Sequence, residues 1–167
     1  MTKNRIYILM ILILTSVIVS NCKKTYTLDE PESKIEGING TWILYSVVQV
    51  DEVDLAKAER SLTDLYIGDG TTSVMEITFN SSNFTYEVTL GEIGKNYLPT
   101  NGTWEFDNNE FPEFIYLDDG QGNITVLTMQ GPTRPQDQHL KFSFKRSCTI
   151  ENELTEYVGY RYEFNRK

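Results

Sequence analysis

Residues 75–90 read MEITFNSSNFTYEVTL. Met75, Ile77 and Phe79 alternate with Glu76 and Thr78, so an extended chain puts the apolar side chains on one face. Asn80, Ser81, Ser82 and Asn83 then supply turn chemistry. Phe84, Tyr86, Val88 and Leu90 follow, alternating with Thr85, Glu87 and Thr89. Two period-2 runs around a polar turn predict an antiparallel hairpin with one buried face and one solvated face.

The same pattern recurs on both sides. Residues 41–50 (TWILYSVVQV) predict the first strand, and 102–106, 114–117 and 123–129 predict the fourth, fifth and sixth. Residues 140–145 predict the seventh, with Leu140, Phe142 and Phe144 inward and Lys141, Ser143 and Lys145 outward. Residues 157–164 predict the eighth, with Tyr160, Tyr162 and Phe164 opposite Arg161 and Glu163. Between the sixth and seventh, GPTRP at 131–135 cannot be regular structure, because two prolines lack N–H donors. Eight strands joined mostly by tight turns make an all-β meander. Such a meander can close into an eight-stranded antiparallel up-and-down barrel, which removes the exposed strand edges that invite aggregation. A two-sheet sandwich uses the same alternation, and periodicity alone does not separate the two.

Composition excludes a helical bundle. Among 167 residues there are 18 Thr, 14 Ile, 10 Val, 10 Tyr and 8 Phe against two alanines. Both alanines, Ala56 and Ala58, fall in the long connection at 51–70. There Leu55, Ala58, Leu62 and Leu65 share one helical face, and Ser61 with Asp64 is a capping signal, which predicts a short helical segment after the first strand. A net charge of −9 argues against a nucleic-acid partner.

The first 22 residues read as an address. Lys3 and Arg5 precede a 14-residue apolar run at 6–19, which ends at Ser20-Asn21-Cys22. This is the layout of a secretory signal, and the run is shorter than the roughly 20 residues a spanning helix needs. A signal anchor left in place is the alternative. Val19-Ser20-Asn21-Cys22 resembles a bacterial lipobox, with Asn21 where Gly or Ala is usual. The resemblance implies cleavage before Cys22 and acylation of that cysteine. The chain then divides into a signal peptide at 1–21, the lipidated Cys22 with a polar tether to residue 37, and a folded domain at 38–167. The expected location is the cell envelope, lipid-anchored, at the outer membrane. After cleavage the chain carries 13 basic and 24 acidic side chains, net −11, so an acyl anchor and not charge must hold it at a membrane. Acylation leaves Cys148 without a partner in the chain, as an inert thiol.

Several segments together resemble a known family. Gly40-Thr41-Trp42 opens the first strand, Leu44, Ser46 and Val47 continue it, and Gly102-Thr103-Trp104-Glu105-Phe106 and 140–144 (LKFSF) follow. They are similar to the lipocalin-like domain of uncharacterised lipid-anchored proteins of Gram-negative bacteria. The likeness runs from about residue 38 to 164. It implies a lipocalin- or calycin-like barrel with a ligand cavity. It also implies that Gly40 and Trp42 close one end, with a late arginine stacked on the tryptophan. Arg146 is the candidate for that arginine, since Arg161 has outward parity.

Signals for catalysis, metals and cofactors are weak, and none is assigned. A hydrolytic triad needs a base, and the one histidine, His139, reads as an exposed, idle side chain. No Cys-x-x-Cys or paired His exists. Asp118-Asp119-Gly120-Gln121-Gly122-Asn123 lacks the downstream bidentate Glu of a calcium loop and reads as a tight turn. The inward aromatics Tyr86, Trp104, Phe142, Phe144, Tyr160 and Tyr162 are candidates to line a ligand cavity, with plain core packing as the competing reading. The expectation is a non-catalytic, membrane-anchored lipocalin-like lipoprotein that binds a small apolar or amphipathic molecule. One alternative is a filled barrel whose loops at 51–70 and 131–135 contact envelope proteins, glycans or host factors. An enzyme of unknown type is the third.

Overall fold

The computed structural model describes residues 31–54, 56–68, 73–150 and 153–167. The expected signal peptide, Cys22 and most of the expected tether lie outside these residues. Nine strands follow in chain order: β1 (Gly40–Asp51), β2 (Arg60–Ser61), β3 (Glu76–Asn80), β4 (Thr85–Thr89), β5 (Asn101–Phe106), β6 (Phe114–Asp118), β7 (Ile124–Met129), β8 (His139–Ile150) and β9 (Glu153–Arg166). Among the described residues two five-residue helices accompany them, α1 (Lys34–Ile38) and α2 (Thr63–Ile67).

The hairpin that decided the fold class forms β3 and β4, with Ile77 opposite Val88 and Phe79 opposite Tyr86. Its inward set is shorter than the alternation predicts. Tyr86 and Val88 are buried, whereas Phe84 and Leu90 are 42% and 48% exposed. Phe84 belongs to the turn, at φ 55°, a left-handed conformation that costs a bulky residue on the order of 1–3 kcal/mol. Its ring lies 5.3 Å from that of Trp104, a contact that offsets part of the strain. Leu90 falls one residue past the end of β4.

The sheet closes on itself. Neighbouring strands run β1-β3-β4-β5-β6-β7-β8-β9, and β9 pairs back onto β1 with Trp42 opposite Arg166 and Asp51 opposite Val158. One ladder joining first and last strands excludes the sandwich and makes an eight-stranded antiparallel barrel. β2 stands outside that count. It pairs Ser61 with Val48 and Arg60 with Gln49, covering the half of β1 that β3 does not reach. Nothing in Glu59-Arg60-Ser61 alternates, so the sequence carries no signal for it.

Two bulges mislead a period-2 reading. One sits on β1 between Leu44 and Ser46. It exposes Tyr45 and shifts the buried set from Trp42 and Leu44 to Val47. The other lies between Arg146 and Ser147 on β8. Beyond it the alternation breaks, although the ladder continues to Ile150 opposite Glu153. The last hairpin is therefore 12 and 14 residues long, where the pattern predicted 140–145 and 157–164.

A helix does follow the first strand, but with a different inner face. Leu62 and Tyr66 are buried, Leu65 is 58% exposed, Ala58 is exposed, and Leu55 lies outside the described residues. Leu62 is the N-cap and makes no side-chain cap bond; Ser61 Oγ accepts from the Thr63 N–H at 3.4 Å, Thr63 Oγ1 donates to Val47 O at 3.3 Å, and Tyr66 packs inward. The helix α1 lies inside the stretch read as tether. Ser33 caps it by accepting from the Glu36 N–H, and Gly37 and Ile38 are buried.

Aromatic side chains pack against one another inside the barrel. Phe142 stacks between Phe164 (5.2 Å) and Tyr162 (6.0 Å), and Phe144 between Tyr160 (5.4 Å) and Tyr162 (5.6 Å). Trp104 packs edge-on against Phe79 and Phe106. Each such ring removed from water contributes about 1.5–3 kcal/mol, so a barrel of this girth gains more from filling than from a void.

Candidate functional site

The strand directions give the barrel two unlike ends. β1 starts at Gly40 beside α1 and finishes at Asp51 beside β2.

The first end is plugged. Trp42 is fully buried, and its indole Nε1 donates to the Ile38 carbonyl at 2.7 Å. The guanidinium of Arg166 lies over the Trp42 ring, 4.2 Å from its centroid. It donates through Nη2 to Gly37 O (2.7 Å), Nη1 to Asn39 O (2.8 Å) and Nε to Asp137 O (3.0 Å). A helix leaves its last carbonyls without intrahelical partners, and α1 has no basic residue in its own last turn. Trp42 of β1 and Arg166, opposite it on the neighbouring β9, supply those donors. Gly40 takes φ 114°, with room for a Cβ only 3.3 Å from Arg166 Nη1. The 131–135 loop, irregular as its prolines predict, completes the plug. Thr133 is buried and donates through Oγ1 to Lys34 O at 3.2 Å.

Gly40 and Trp42 thus sit at the closed end, but the stacked arginine is Arg166 and not Arg146. Arg146 has the same inward parity on β8 as Phe142 and Phe144, but it stands at the opposite end of that strand. There its guanidinium lies over Tyr97, 4.8 Å from the ring centroid. Arg161 points outward, as expected, and pairs with Glu59.

The six aromatic candidates do not converge on one cavity. Phe142, Phe144, Tyr160 and Tyr162 form the stacked ladder of β8 and β9, while Trp104 belongs to the separate cluster of Phe79, Phe84 and Phe106. Tyr86 and Trp104 border different surface grooves, of about 560 and 490 Å³. Among the described residues, the hydroxyls of Tyr86 and Tyr162 and the Nε1 of Trp104 find no hydrogen-bond partner of good geometry. Tyr66 of α2 packs edge-on against Tyr162 at 6.1 Å. Burial, with the neighbouring Tyr66 phenol next, pushes the Tyr162 hydroxyl far above the ordinary tyrosine range. Burial likewise raises Tyr86, helped by Asp119 and Asp118, and Tyr160, helped by Tyr97, each to about 12.

The second end is open. A cleft of about 540 Å³ is lined by Gln49 and Asp51 of β1, Arg60 of β2, Tyr157, Val158 and Tyr160 of β9, Arg146 of β8 and Lys57. Register explains the grouping. Arg60 lies opposite Gln49, Gln49 opposite Tyr160 and Tyr160 opposite Phe144, which makes one transverse row across four strands. The next row is Asp51, Val158 and Arg146. Tyr160 and Val158 are buried and form the floor. Asp51 is bound by Lys57 at 2.5 Å and accepts from the Val53 and Asp54 N–H groups. The ammonium of Lys57, then those N–H groups, hold its carboxyl below the usual range.

The turn at 118–123 uses its oxygens locally. Asp118 accepts from Gly120 N, and Asp119 from Gln121 N and from the Asn123 backbone and side chain. His139 is exposed, its Nδ1 2.8 Å from Asn165 Oδ1.

A family model described as a domain of unknown function, DUF5004, matches residues 18–159. The chain belongs to the DUF5004 family. A comparison with curated proteins finds no match. The DUF5004 match takes in Cys22 at its start and the whole of β1 through β8, and it stops before Tyr160 and Arg166. The DUF5004 barrel therefore closes with residues that follow the matched region.

Two features of the DUF5004 domain escaped the sequence reading. The apolar alternation of the eighth strand stops at Phe164, two residues short of Arg166, and parity with Tyr160, Tyr162 and Phe164 is the signal that points to it. The mouth was missed because Arg60 lies on a strand with no alternation, and only the ladder brings it level with Tyr160 and Arg146.

Proposed function

We propose that this DUF5004 chain is a non-catalytic, lipocalin-like lipoprotein of the cell envelope, acylated at Cys22, that binds a small amphipathic molecule. The ligand sits at the open mouth of the barrel and not within it. The observation that carries the reading is the cleft of about 540 Å³ beside Tyr160. Its volume lies within the roughly 300–1,000 Å³ of small-molecule sites, and it joins an apolar floor to a polar rim. The stacked rings leave no comparable role for the barrel interior. The plug supports the same polarity. The helix α1 enters the barrel at the closed end, and the mouth is at the other.

Two measurements test it. Growth with radiolabelled palmitate labels the wild-type chain, and Cys22→Ser abolishes the label; an unlabelled wild type removes the anchor from the proposal. For the ligand, the full chain is reconstituted in phosphatidylcholine nanodiscs and titrated calorimetrically with neutral and charged aromatic amphiphiles, with empty discs as blank. Saturable one-to-one binding of at least one probe, weakened by Tyr160→Ala, is the expected result. No binding across the panel overturns the binding reading and leaves a filled barrel with a contact role.

A further inference from the structure

The proposed binding reading leaves the chemistry of the ligand open, and the charges at the mouth narrow it. The chain is strongly acidic, at −9 overall, and most of its described cations are taken. Lys57 is held by Asp51, Lys145 by Glu52 and Glu156, Arg161 by Glu59, Arg134 by Asp137, Lys141 by Glu163 and Lys167 by Glu76. Arg166 is spent on backbone carbonyls. Among the described residues Lys34, Arg60, Lys95 and Arg146 have no carboxylate ion pair, and of these Arg60 and Arg146 border the same cleft. Of the carboxylates near them, Asp51, Glu52 and Glu59 are paired with Lys57, Lys145 and Arg161.

The two guanidinium groups flank the cleft. Arg60 is on β2 and Arg146 on β8, with β1 and β9 between. Three steps across the ladder at ~4.8 Å each, with a two-residue offset of about 7 Å along the strands, set their backbones within about 16 Å of each other. Both residues have inward parity, so their long side chains reach toward the space between. Arg146 is steadied by Tyr97, over which it lies, and Tyr97 in turn packs on Tyr160 at 4.8 Å. An arginine fixed by a ring loses less freedom when it pairs with an oxyanion, and its fork suits carboxylate, sulfonate and phosphate oxygens. Below the two heads, Tyr157, Val158 and Tyr160 offer flat apolar surface.

We infer that the mouth selects an anionic amphiphile. Its oxyanion is held between Arg60 and Arg146, and a flat or chain-like apolar body lies on Tyr160 and Val158. This rests on the mouth being the ligand site. The same chemistry is offered by a free organic acid and by an anionic lipid headgroup.

The test uses two probes with one ring system. The full chain in phosphatidylcholine nanodiscs is titrated with 2-naphthalenesulfonate and with uncharged 2-naphthalenemethanol, against empty discs. The sulfonate is expected to bind at least tenfold more tightly. In Arg60→Gln/Arg146→Gln that preference falls to within twofold, while the alcohol binds as before and the melting temperature stays within 2 °C. Equal binding of both probes by the wild type, or an undiminished preference in the double variant, overturns the anion inference and leaves the mouth as a ligand site. Failure of both probes to bind overturns the site itself. A repeat with discs containing phosphatidylglycerol, compared with phosphatidylcholine discs at the same 0.3 M salt, separates the sources. Weakened sulfonate binding, by several-fold and only with the arginines present, assigns the headgroup to lipid, and unchanged binding assigns a free acid.

Discussion

Arg166 lies over Trp42 at 4.2 Å and caps the carbonyls of Gly37 and Asn39. One side chain thus joins the last strand, the first strand and the helix before it. Cation–π contact with a partly desolvated guanidinium contributes about 0.5–2 kcal/mol. The buried carbonyls left behind add about 1–3 kcal/mol between them if unpaired. Arg166→Met should therefore lower stability by about 2–4 kcal/mol in urea unfolding. Arg166→Lys should recover less than half of that, because an ammonium cannot serve three carbonyls from one plane. Arg146→Met, which breaks no hydrogen bond named here, should cost under about 1 kcal/mol. Equal losses for Arg146 and Arg166 would return the plug to the residue the sequence suggested.

Gly37 tests how tightly the plug is built. A Cβ there would stand 2.6 Å from the carbonyl carbon and oxygen of Thr133 and 2.7 Å from Arg134 N. Alanine normally gains up to about 1 kcal/mol over glycine inside a helix. Here the obstacle is backbone pinned by Thr133 Oγ1 and by the Arg134–Asp137 pair. Overpacking against a fixed wall costs about 1–3 kcal/mol. Gly37→Ala is expected to be net destabilising by about 1–2 kcal/mol, read as a lower urea midpoint at constant m-value. A midpoint that rises would show that the 131–135 loop yields.

Where the sequence was legible, one physical rule held without interruption. The runs around Ile77, Trp104, Phe142 and Tyr162 alternate because each strand has one dry face, and the structure buries all four. Closure was a topological inference from the same alternation, and the β1–β9 ladder is that closure. The losses occur where two residues oppose one. The bulge at Arg146/Ser147 hides the rest of β8 from a period-2 reading, and the one at Leu44/Ser46 reverses the faces of β1. The lining of the mouth is hard to read from sequence for another reason. Inward parity says that Phe142 and Tyr160 point to the interior, but whether rings meet rings or a void depends on how eight strands are staggered. That is a property of no single segment. Arg60 and Arg146 are 86 residues apart, and only the register across β2, β1, β9 and β8 makes them neighbours.

Tyrosine ionisation should report the core directly. Tyr86 and Tyr160 hold their protons to about pH 12 in the folded chain, against an ordinary value of 10.0, and Tyr162 holds its proton higher still. In the unfolded chain these phenols ionise near 10, so above that pH the unfolded state binds fewer protons than the folded one. Stability is then full below about pH 10 and falls as pH rises toward 12 and beyond. Absorbance at 295 nm followed with far-UV circular dichroism should show an early, reversible fraction from exposed tyrosines. The remainder should appear only together with loss of the β signal. Smooth ionisation of all ten tyrosines near pH 10 with the barrel intact would contradict the packing described.

Tyr162 separates packing from polarity at the centre of the ladder. Its ring touches Phe142, Phe144, Phe164 and Tyr66, while no protein group pairs with its hydroxyl in good geometry among the described residues. Removing an unsatisfied hydroxyl from a buried ring spares a desolvation penalty of about 1–3 kcal/mol, less whatever the neighbouring Tyr66 phenol returns. Tyr162→Phe keeps every ring contact and should be neutral or stabilising by up to about 1.5 kcal/mol. Tyr162→Ala removes the ring and should cost about 3–5 kcal/mol. Thermal melts of the two variants read the sign of the first and the size of the second. A Phe variant that melts clearly below wild type would mean that the Tyr162 hydroxyl is held by a partner worth more than its burial costs.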